Sequence, residues 1–303
     1  MVRTHLGDRA RDAGEFRPHG PVFETSHPFS PIGGVIHLLA FLLYLGALGL
    51  WIRLLVHGSR KGGTLLASGV AGGAVVVHAF ALGEFWLRYG ELPLVGPGAA
   101  LSSLAFVGGL ALLVTLPLRE ISRLGIALLP FIVVCLGVAL VAGIEPSPRT
   151  IDFQGAGFVL HVAFAFLGYQ GLAVAFAAGS LYLIQHHELK AKRLGRFFHF
   201  IPPLATLDRV GRVGLWVGFG CLTVALAFGW AWTVQHRGSL EAGDPKVIWA
   251  VLSWLVFVGI LLSRVGRGST EHRGALAAVI GFGVVIGSYV VLRLTAEGTG
   301  LFL

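Results

Sequence analysis

Eight long apolar stretches dominate this sequence of 303 residues. A helix of about 20 apolar residues crosses a hydrocarbon core of about 30 Å, and backbone groups in lipid must hydrogen-bond within the protein. The sequence therefore predicts an all-α, polytopic membrane protein with about eight transmembrane helices. The predicted spans cover residues 33–52, 65–86, 99–118, 124–144, 157–184, 213–234, 247–262 and 276–292.

The composition excludes a soluble fold. Hydrophobic residues make up 55% of the chain and charged residues 13%, whereas a soluble domain carries roughly 25% charge. The net charge of +8 does not indicate nucleic-acid binding, because the basic residues lie in short loops between spans, where they set topology. The two cysteines, Cys135 and Cys221, fall in separate spans and are interpreted as packing residues.

The distribution of Lys and Arg predicts the orientation. The loops after spans one, three, five and seven carry more of these residues than the opposite loops, and basic loops remain in the cytoplasm. Both termini are therefore expected on the outer side. The polar tail, residues 1–31, contains four arginines that argue the other way. The longest basic loop, 186–212, is predicted to contain an interfacial amphipathic helix near lipid headgroups, or a docking surface for a partner.

No enzyme motif is visible: there is no nucleophile elbow, Walker loop, HExxH or pair of intramembrane carboxylates. Ionisable residues inside a membrane are costly and mark function. His78 lies inside span two and is either a buried neutral imidazole or an axial ligand of haem iron. Glu84 and Arg88 are spaced to form an ion pair at the end of the same span.

His161 offers a second candidate ligand. It lies near the predicted outer end of span five and precedes an aromatic stripe that includes Phe164 and Tyr169. It is either a packed interfacial histidine or a haem ligand with aromatic side chains covering the porphyrin. His37, near the outer end of span one, is a third candidate.

The segment 229–249 is rich in tryptophan. An aromatic belt at the membrane interface explains Trp232 and Trp249 without any ligand. It does not explain the sequence Asp244-Pro245-Lys246, which leads directly into a span.

These motifs together resemble the cytochrome c assembly family of haem-handling membrane proteins over about residues 33–303. That family has a tryptophan-rich outer loop, and the matching residues are Gly229, Trp232, Gly238, Ser239, Asp244, Pro245, Lys246 and Trp249. Gly90-Glu91-Leu92-Pro93-Leu94, His161-Val162 and Gly168-Tyr169 match further family segments. The stretch 185–190, with Pro202-Pro203-Leu204, is similar to the HemX-like branch of the family.

The resemblance implies a bound haem b, with His78 and His161 as iron ligands and with Trp232, Asp244 and Trp249 around the cofactor. The chain departs from the family at its centre. Central family tryptophans are replaced by Arg237, Glu241 and Gly243, and two family histidines by Leu262 and Phe302. Ligation by the family's histidine pairs is therefore not expected. One histidine alone, or His78 or His161 paired with His37 or His236, remains as the ligand set.

The resulting hypothesis is a non-enzymatic haem-handling or accessory protein of cytochrome c biogenesis in a bacterial inner membrane. Its expected partners are the lipid bilayer and other cytochrome c assembly or haem-biosynthesis proteins, without nucleic acid. The alternative is a HemX-like regulator or scaffold that has lost haem binding. A secondary transporter would require broken helices or a midplane carboxylate, and the sequence shows neither.

Overall fold

The structure, a computed structural model, describes residues 31–58, 62–118, 121–146, 155–192, 195–238, 243–265 and 270–296. Within these ranges the chain is helical, with connecting turns and no strand. Most of the predicted tail, as well as Ser239, Glu241 and Phe302, lies outside the described residues. The helices are α1 (Pro31–His57), α2 (Gly63–Tyr89), α3 (Pro97–Thr115), α4 (Gly125–Ala142), α5 (Ala156–Lys190), α6 (Arg196–Phe200), α7 (Leu204–Arg237), α8 (Pro245–Val265) and α9 (Glu271–Ala296).

Every helix except the short α6 is long and apolar enough to cross a membrane, which gives eight spans among the described residues. The predicted all-α architecture with eight transmembrane helices is confirmed, and the chain is a multi-pass membrane protein. The placement of both termini on the outer side stays a prediction. We call the end of the bundle with the start of α5 and the end of α7 the tryptophan end, and the opposite end the basic end.

The segment 186–212 is not the long loop that the sequence suggested. Helix α5 continues to Lys190 and α7 already begins at Leu204, so the connection is short and includes α6. With 35 and 34 residues, these two helices are about 50 Å long at 1.5 Å per residue, longer than the hydrocarbon core. The charged residues of this segment therefore belong to the polar ends of α5 and α7. A membrane helix can extend beyond the lipid into water when it stays packed against its neighbours.

Helices α1 and α2 pack through two stripes of buried residues with heptad spacing, the pattern of side-by-side helix packing. The stripe of α2 is made mostly of alanine, which lets the two backbones approach closely. The α1 stripe consists of His37, Ala40, Tyr44, Ala47, Trp51 and Leu54, and the α2 stripe of Ala67, Ala71, Ala74, His78, Ala81 and Phe85. The stripes place His37 and His78 inside the protein.

Helices α5 and α7 form the most extensive helix pair, and glycines determine how closely they approach. A Cβ on Gly171 would lie 2.5 Å from the Gly214 carbonyl oxygen, and one on Gly218 would lie 2.9 Å from the Gly168 carbonyl oxygen. Backbone atoms cannot move aside as a flexible side chain does. Small residues on both helices therefore fix the crossing point, as is common for membrane helices.

A buried carboxylate connects the basic ends of α7 and α8. Asp208 is 5% exposed and accepts hydrogen bonds from Arg212, one turn further along α7, and from Arg264 of α8 at 2.6 Å. The side chain of Arg264 is 10% exposed, whereas that of Arg212 is 55% exposed. A buried charge requires such pairing, since desolvation of an unpaired charge is costly.

Candidate functional site

His161 lies on α5 at the tryptophan end, with its ring against α7. Its Nδ1–H donates a hydrogen bond to the Ala225 carbonyl oxygen at 2.8 Å. A Cβ on Gly229 would lie 2.7 Å from this Nδ1, so the imidazole occupies the space that a side chain at position 229 would need. Because Nδ1 carries the proton, the neutral ring presents Nε2 as its lone-pair nitrogen.

The environment of His161 fits a histidine that would hold haem iron. Histidines that bind metals commonly donate their second ring nitrogen to a carbonyl or carboxylate, which fixes the tautomer and the ring orientation. The Ala225 carbonyl supplies this contact. The imidazole is only partly buried, so the helix pair does not enclose the whole ring.

Trp232 extends the same face of α7 beyond His161. Its side chain is 9% exposed; one side contacts Phe158 of α5, with ring centres 5.6 Å apart, and the indole stacks on His236 at 4.6 Å. The Nδ1–H of His236 donates to the Trp232 carbonyl oxygen at 2.9 Å, which again leaves Nε2 as the lone-pair nitrogen. Positions 229, 232 and 236 follow one helix face, so the structure brings His161, Trp232 and His236 to one end of one helix pair.

Asp244 and Trp249 have structural contacts of their own. Asp244 precedes α8, where its Oδ1 accepts the Lys246 backbone N–H at 2.8 Å in the manner of an N-cap. Trp249 lies between Tyr169 of α5 and Tyr289 of α9, with ring centres 5.1 and 5.3 Å apart, and its Nε1–H donates to the Val285 carbonyl oxygen at 3.4 Å. Trp249 therefore joins three helices.

His78 lies in a closed part of the core. It is completely buried, and its Nε2 shares a hydrogen bond with the Ser102 hydroxyl of α3 at 3.0 Å. The rings of His37, Tyr44 and Phe106 surround it, with centres 5.5–5.9 Å away. A porphyrin needs an open slot beside the ligating nitrogen, and these close-packed rings leave none. The residues around His78 therefore do not fit a haem.

Tyr44 belongs to this polar core and was not singled out in the sequence. His37 Nε2, His78 Nδ1 and the Tyr44 hydroxyl are buried without a hydrogen-bond partner among the described residues. The Nδ1–H of His37 donates to the Gly33 carbonyl oxygen at 2.9 Å, within its own helix. The heptad stripe of α1, which contains both His37 and Tyr44, was the sequence signal that would have identified it.

The predicted ion pair at the end of α2 is confirmed. Arg88 Nη1 lies 3.6 Å from Glu84 Oε1. A Cβ on Gly33 of α1 would lie 2.6 Å from Glu84 Oε2, so the carboxylate also packs against α1. This pair stabilises the contact between the two helices near the membrane surface.

Comparison with known families agrees with this architecture. The family model described as "Cytochrome C assembly protein" matches residues 98–299, more than half of the chain. The chain belongs to the cytochrome C assembly protein family. The matched region runs from the first turn of α3 past the end of α9 and contains His161, Trp232, Asp244 and Trp249, whereas His37 and His78 precede it.

Individual relatives extend the match. Over 156 residues the chain is 30% identical to the cytochrome c biogenesis protein CcsA of Chlamydomonas reinhardtii, covering 51% of this chain and 42% of that protein. It is 39% identical over 93 residues to CcsA of Synechococcus elongatus, covering 31% of this chain and 29% of that protein. In these two alignments the chain spans less than half of the relative's length. A weaker match, 26% identity to CcsA of Prochlorococcus marinus, covers 77% of this chain and 85% of that protein. The HemX-like branch is not confirmed.

The sequence resemblance predicts that Leu262 stands where the family has a histidine, and the structure shows where this leucine lies. Leu262 on α8 is 66% exposed and faces away from the bundle, as expected for a leucine in contact with lipid. Helix α8 packs mainly against α9 and α7, whereas α2, which carries His78, packs mainly against α1 and α3. Leu262 and His78 therefore lie in different parts of this fold.

Proposed function

We propose that this member of the family is a non-enzymatic haem-handling protein of cytochrome c biogenesis, located in a bacterial inner membrane with both termini on the outer side. The observation that carries the proposal is the His161 imidazole, whose Nδ1–H is bonded to the Ala225 carbonyl oxygen and whose Nε2 is left as the lone-pair nitrogen at the tryptophan end. The names of the CcsA relatives support the pathway.

In this proposal the haem is cargo, and His161 Nε2 is its first iron ligand. His236 is the candidate for a second ligand, because it shares the α7 face with Gly229 and is oriented by its own hydrogen bond to the Trp232 carbonyl oxygen. Trp232 would shield the porphyrin face from water. Asp244 would act by fixing the start of α8, and Trp249 by holding α8 against α5 and α9.

His78 has a positioning role in this proposal. Its contacts with Ser102, His37 and Tyr44 hold α1, α2 and α3 together. The family's other assembly proteins are the proposed partners, since haem delivery requires an acceptor for the cargo.

The proposal is tested by titrating haemin into the purified protein in detergent and recording the Soret band. Wild-type protein should bind haemin, and His161→Ala should bind it at least about tenfold more weakly, a difference of about 1.4 kcal/mol. His57→Ala is the matched control, because His57 lies exposed at the basic end of α1.

Cellular cytochrome c provides the second readout. Covalent haem in c-type cytochromes, measured by peroxidase staining, should fall in cells that carry His161→Ala as their only copy and stay normal with His57→Ala. Wild-type protein that is colourless and takes up no haemin would refute the proposal.

A further inference from the structure

A short strap crosses the basic end of the bundle. The strap is residues 195–203, which contain α6. Arg196 donates to the Val56 carbonyl oxygen at the end of α1 at 2.7 Å, and Phe200 packs edge-on against Trp51 of α1, with ring centres 6.2 Å apart. These contacts fix the strap on the end of α1.

Arg123 fastens the strap from the other side. It follows α3, just before α4, and its Nη1 donates to the carbonyl oxygens of His199 and Phe200 at 3.2 and 2.7 Å. Its guanidinium also lies over the Phe200 ring at 5.1 Å. Both bonds come from Nη1, so within the described part of the chain the N–H groups of Nη2 and Nε remain as donors.

Between the strap and α5 lies an open cavity of about 540 Å³, which we call the strap pocket. One wall is Gln185 of α5, which is 3% exposed. Its Nε2 donates to the Phe198 carbonyl oxygen at 3.3 Å, which fixes the orientation of the amide, and its buried Oε1 has no partner among the described residues. The lining residues are Arg123, Gln185, Phe198, His199, Ile201, Pro202, Pro203 and Leu204.

The start of α7 forms another part of this wall. Helix α7 begins at Leu204 with Pro203 as a cap that supplies no side-chain hydrogen bond. The first N–H groups of a helix have no partner within the helix and attract anions. The strap pocket therefore offers donors for an anion, from Arg123 and from the start of α7.

The pocket lies at the depth of the lipid headgroups. Helices α3 and α4 contain 19 and 18 residues, about 28 Å at 1.5 Å per residue, which matches a hydrocarbon core of about 30 Å. Arg123, in the turn that joins them, is therefore at the membrane surface. The apolar residues Phe198, Ile201 and Leu204 complete a lining suited to an amphipathic ligand.

We propose that the strap pocket binds the headgroup of an anionic phospholipid of the phosphatidylglycerol type. Its phosphate is held by Arg123, His199 and the first amides of α7. Phosphatidylethanolamine and phosphatidylcholine would each bring a cationic group into an end that already carries Lys190, Lys192 and Arg209, a repulsive arrangement.

The test measures thermal stabilisation of the purified, delipidated full chain in detergent by short-chain phosphatidylglycerol, phosphatidylethanolamine and phosphatidylcholine. Only phosphatidylglycerol should raise the melting temperature at low concentration. Arg123→Gln and His199→Ala should each weaken its apparent affinity at least about fivefold. Arg209→Gln is the matched control, because it removes one exposed positive charge from the same end but does not line the pocket, and it should change the affinity less than about twofold.

Native mass spectrometry of the same proteins gives a readout that does not depend on the stability of the strap. One phosphatidylglycerol should stay bound to wild type and to Arg209→Gln, and be lost from His199→Ala. Equal stabilisation by all three lipids, an equal effect of Arg209→Gln and Arg123→Gln, or stabilisation by glycerol phosphate without an effect of the lipid would overturn the proposal. Haemin binding is not part of these measurements, so this proposal and the haem proposal fail independently.

Discussion

The His161 imidazole and Gly229 occupy complementary space: the ring lies where a Cβ at position 229 would be, 2.7 Å from Nδ1. The glycine of the tryptophan-rich segment therefore positions the histidine of another helix. This relationship turns two separate sequence motifs into one site.

Replacement of Gly229 by alanine should weaken haem binding. The added methyl group would push the ring away from α7 and disturb the bond from Nδ1 to the Ala225 carbonyl oxygen, which orients Nε2. We expect haemin affinity to fall about tenfold, or about 1.4 kcal/mol, as measured by Soret titration. Gly220→Ala on the same helix, where nothing lies within 4 Å of the new Cβ, should bind haemin like wild type. Equal affinity of the two variants would contradict the positioning role of Gly229.

His78→Ala should reduce stability and leave haem binding intact. The substitution opens a cavity beside His37 and Tyr44 and removes the partner of the Ser102 hydroxyl, at a cost of about 2–4 kcal/mol. The melting temperature in detergent should fall, whereas the Soret band at saturating haemin should keep its intensity. Loss of the Soret band without a change in melting temperature would contradict the positioning role and make His78 an iron ligand.

The two arginines that contact Asp208 should contribute unequally to the free energy of unfolding. Asp208→Asn leaves the guanidinium of Arg264, which is 10% exposed, without its counter-charge, and the loss of one partner of a buried pair costs about 3–5 kcal/mol. Arg212→Gln removes a side chain that is 55% exposed and should cost less than about 1 kcal/mol. Thermal unfolding in detergent measures both. A larger effect of Arg212→Gln than of Asp208→Asn would mean that this carboxylate does not depend on Arg264.

The orientation can be measured with single cysteines. In a chain with Cys135→Ala and Cys221→Ala, a cysteine at the exposed position Lys192 should react with a membrane-impermeant maleimide only after the cells are permeabilised, because it lies at the basic end. A cysteine at the exposed position Gly243 should react in intact cells. The reverse pattern would place the basic end outside and invert the proposed topology.

Much of the fold was accessible from the sequence because the bilayer imposes one length and one secondary structure on each span. Six of the eight predicted spans lie within observed helices, and the third and fourth extend past theirs by up to three residues. The ends of α5 and α7 were not predicted, since a polar helix end and a polar loop have similar composition. Gln185 and Asp208 are buried there by packing between helices, which no local pattern records.

Only part of the candidate site could be predicted from the sequence. The sequence identified His78 and His161 as equivalent candidates, because each is one imidazole in an apolar stretch. Tertiary packing separates them: His78 is enclosed by three rings and a hydroxyl, whereas His161 is only partly buried and its Nδ1 is held by the Ala225 carbonyl oxygen. Trp232 and Trp249 are neighbours in one motif but contact different groups, because α7 ends and α8 begins between them.

The sequence by itself determined that this chain is an eight-span helical membrane protein, because span length and apolar composition follow directly from the thickness and polarity of the bilayer. Only the tertiary structure decided which polar side chains meet. That outcome depends on where glycines let helices approach, as at Gly171 and Gly229, and on which helix carries each partner. Such distances between helices are properties of the packed bundle and are absent from the order of residues along the chain.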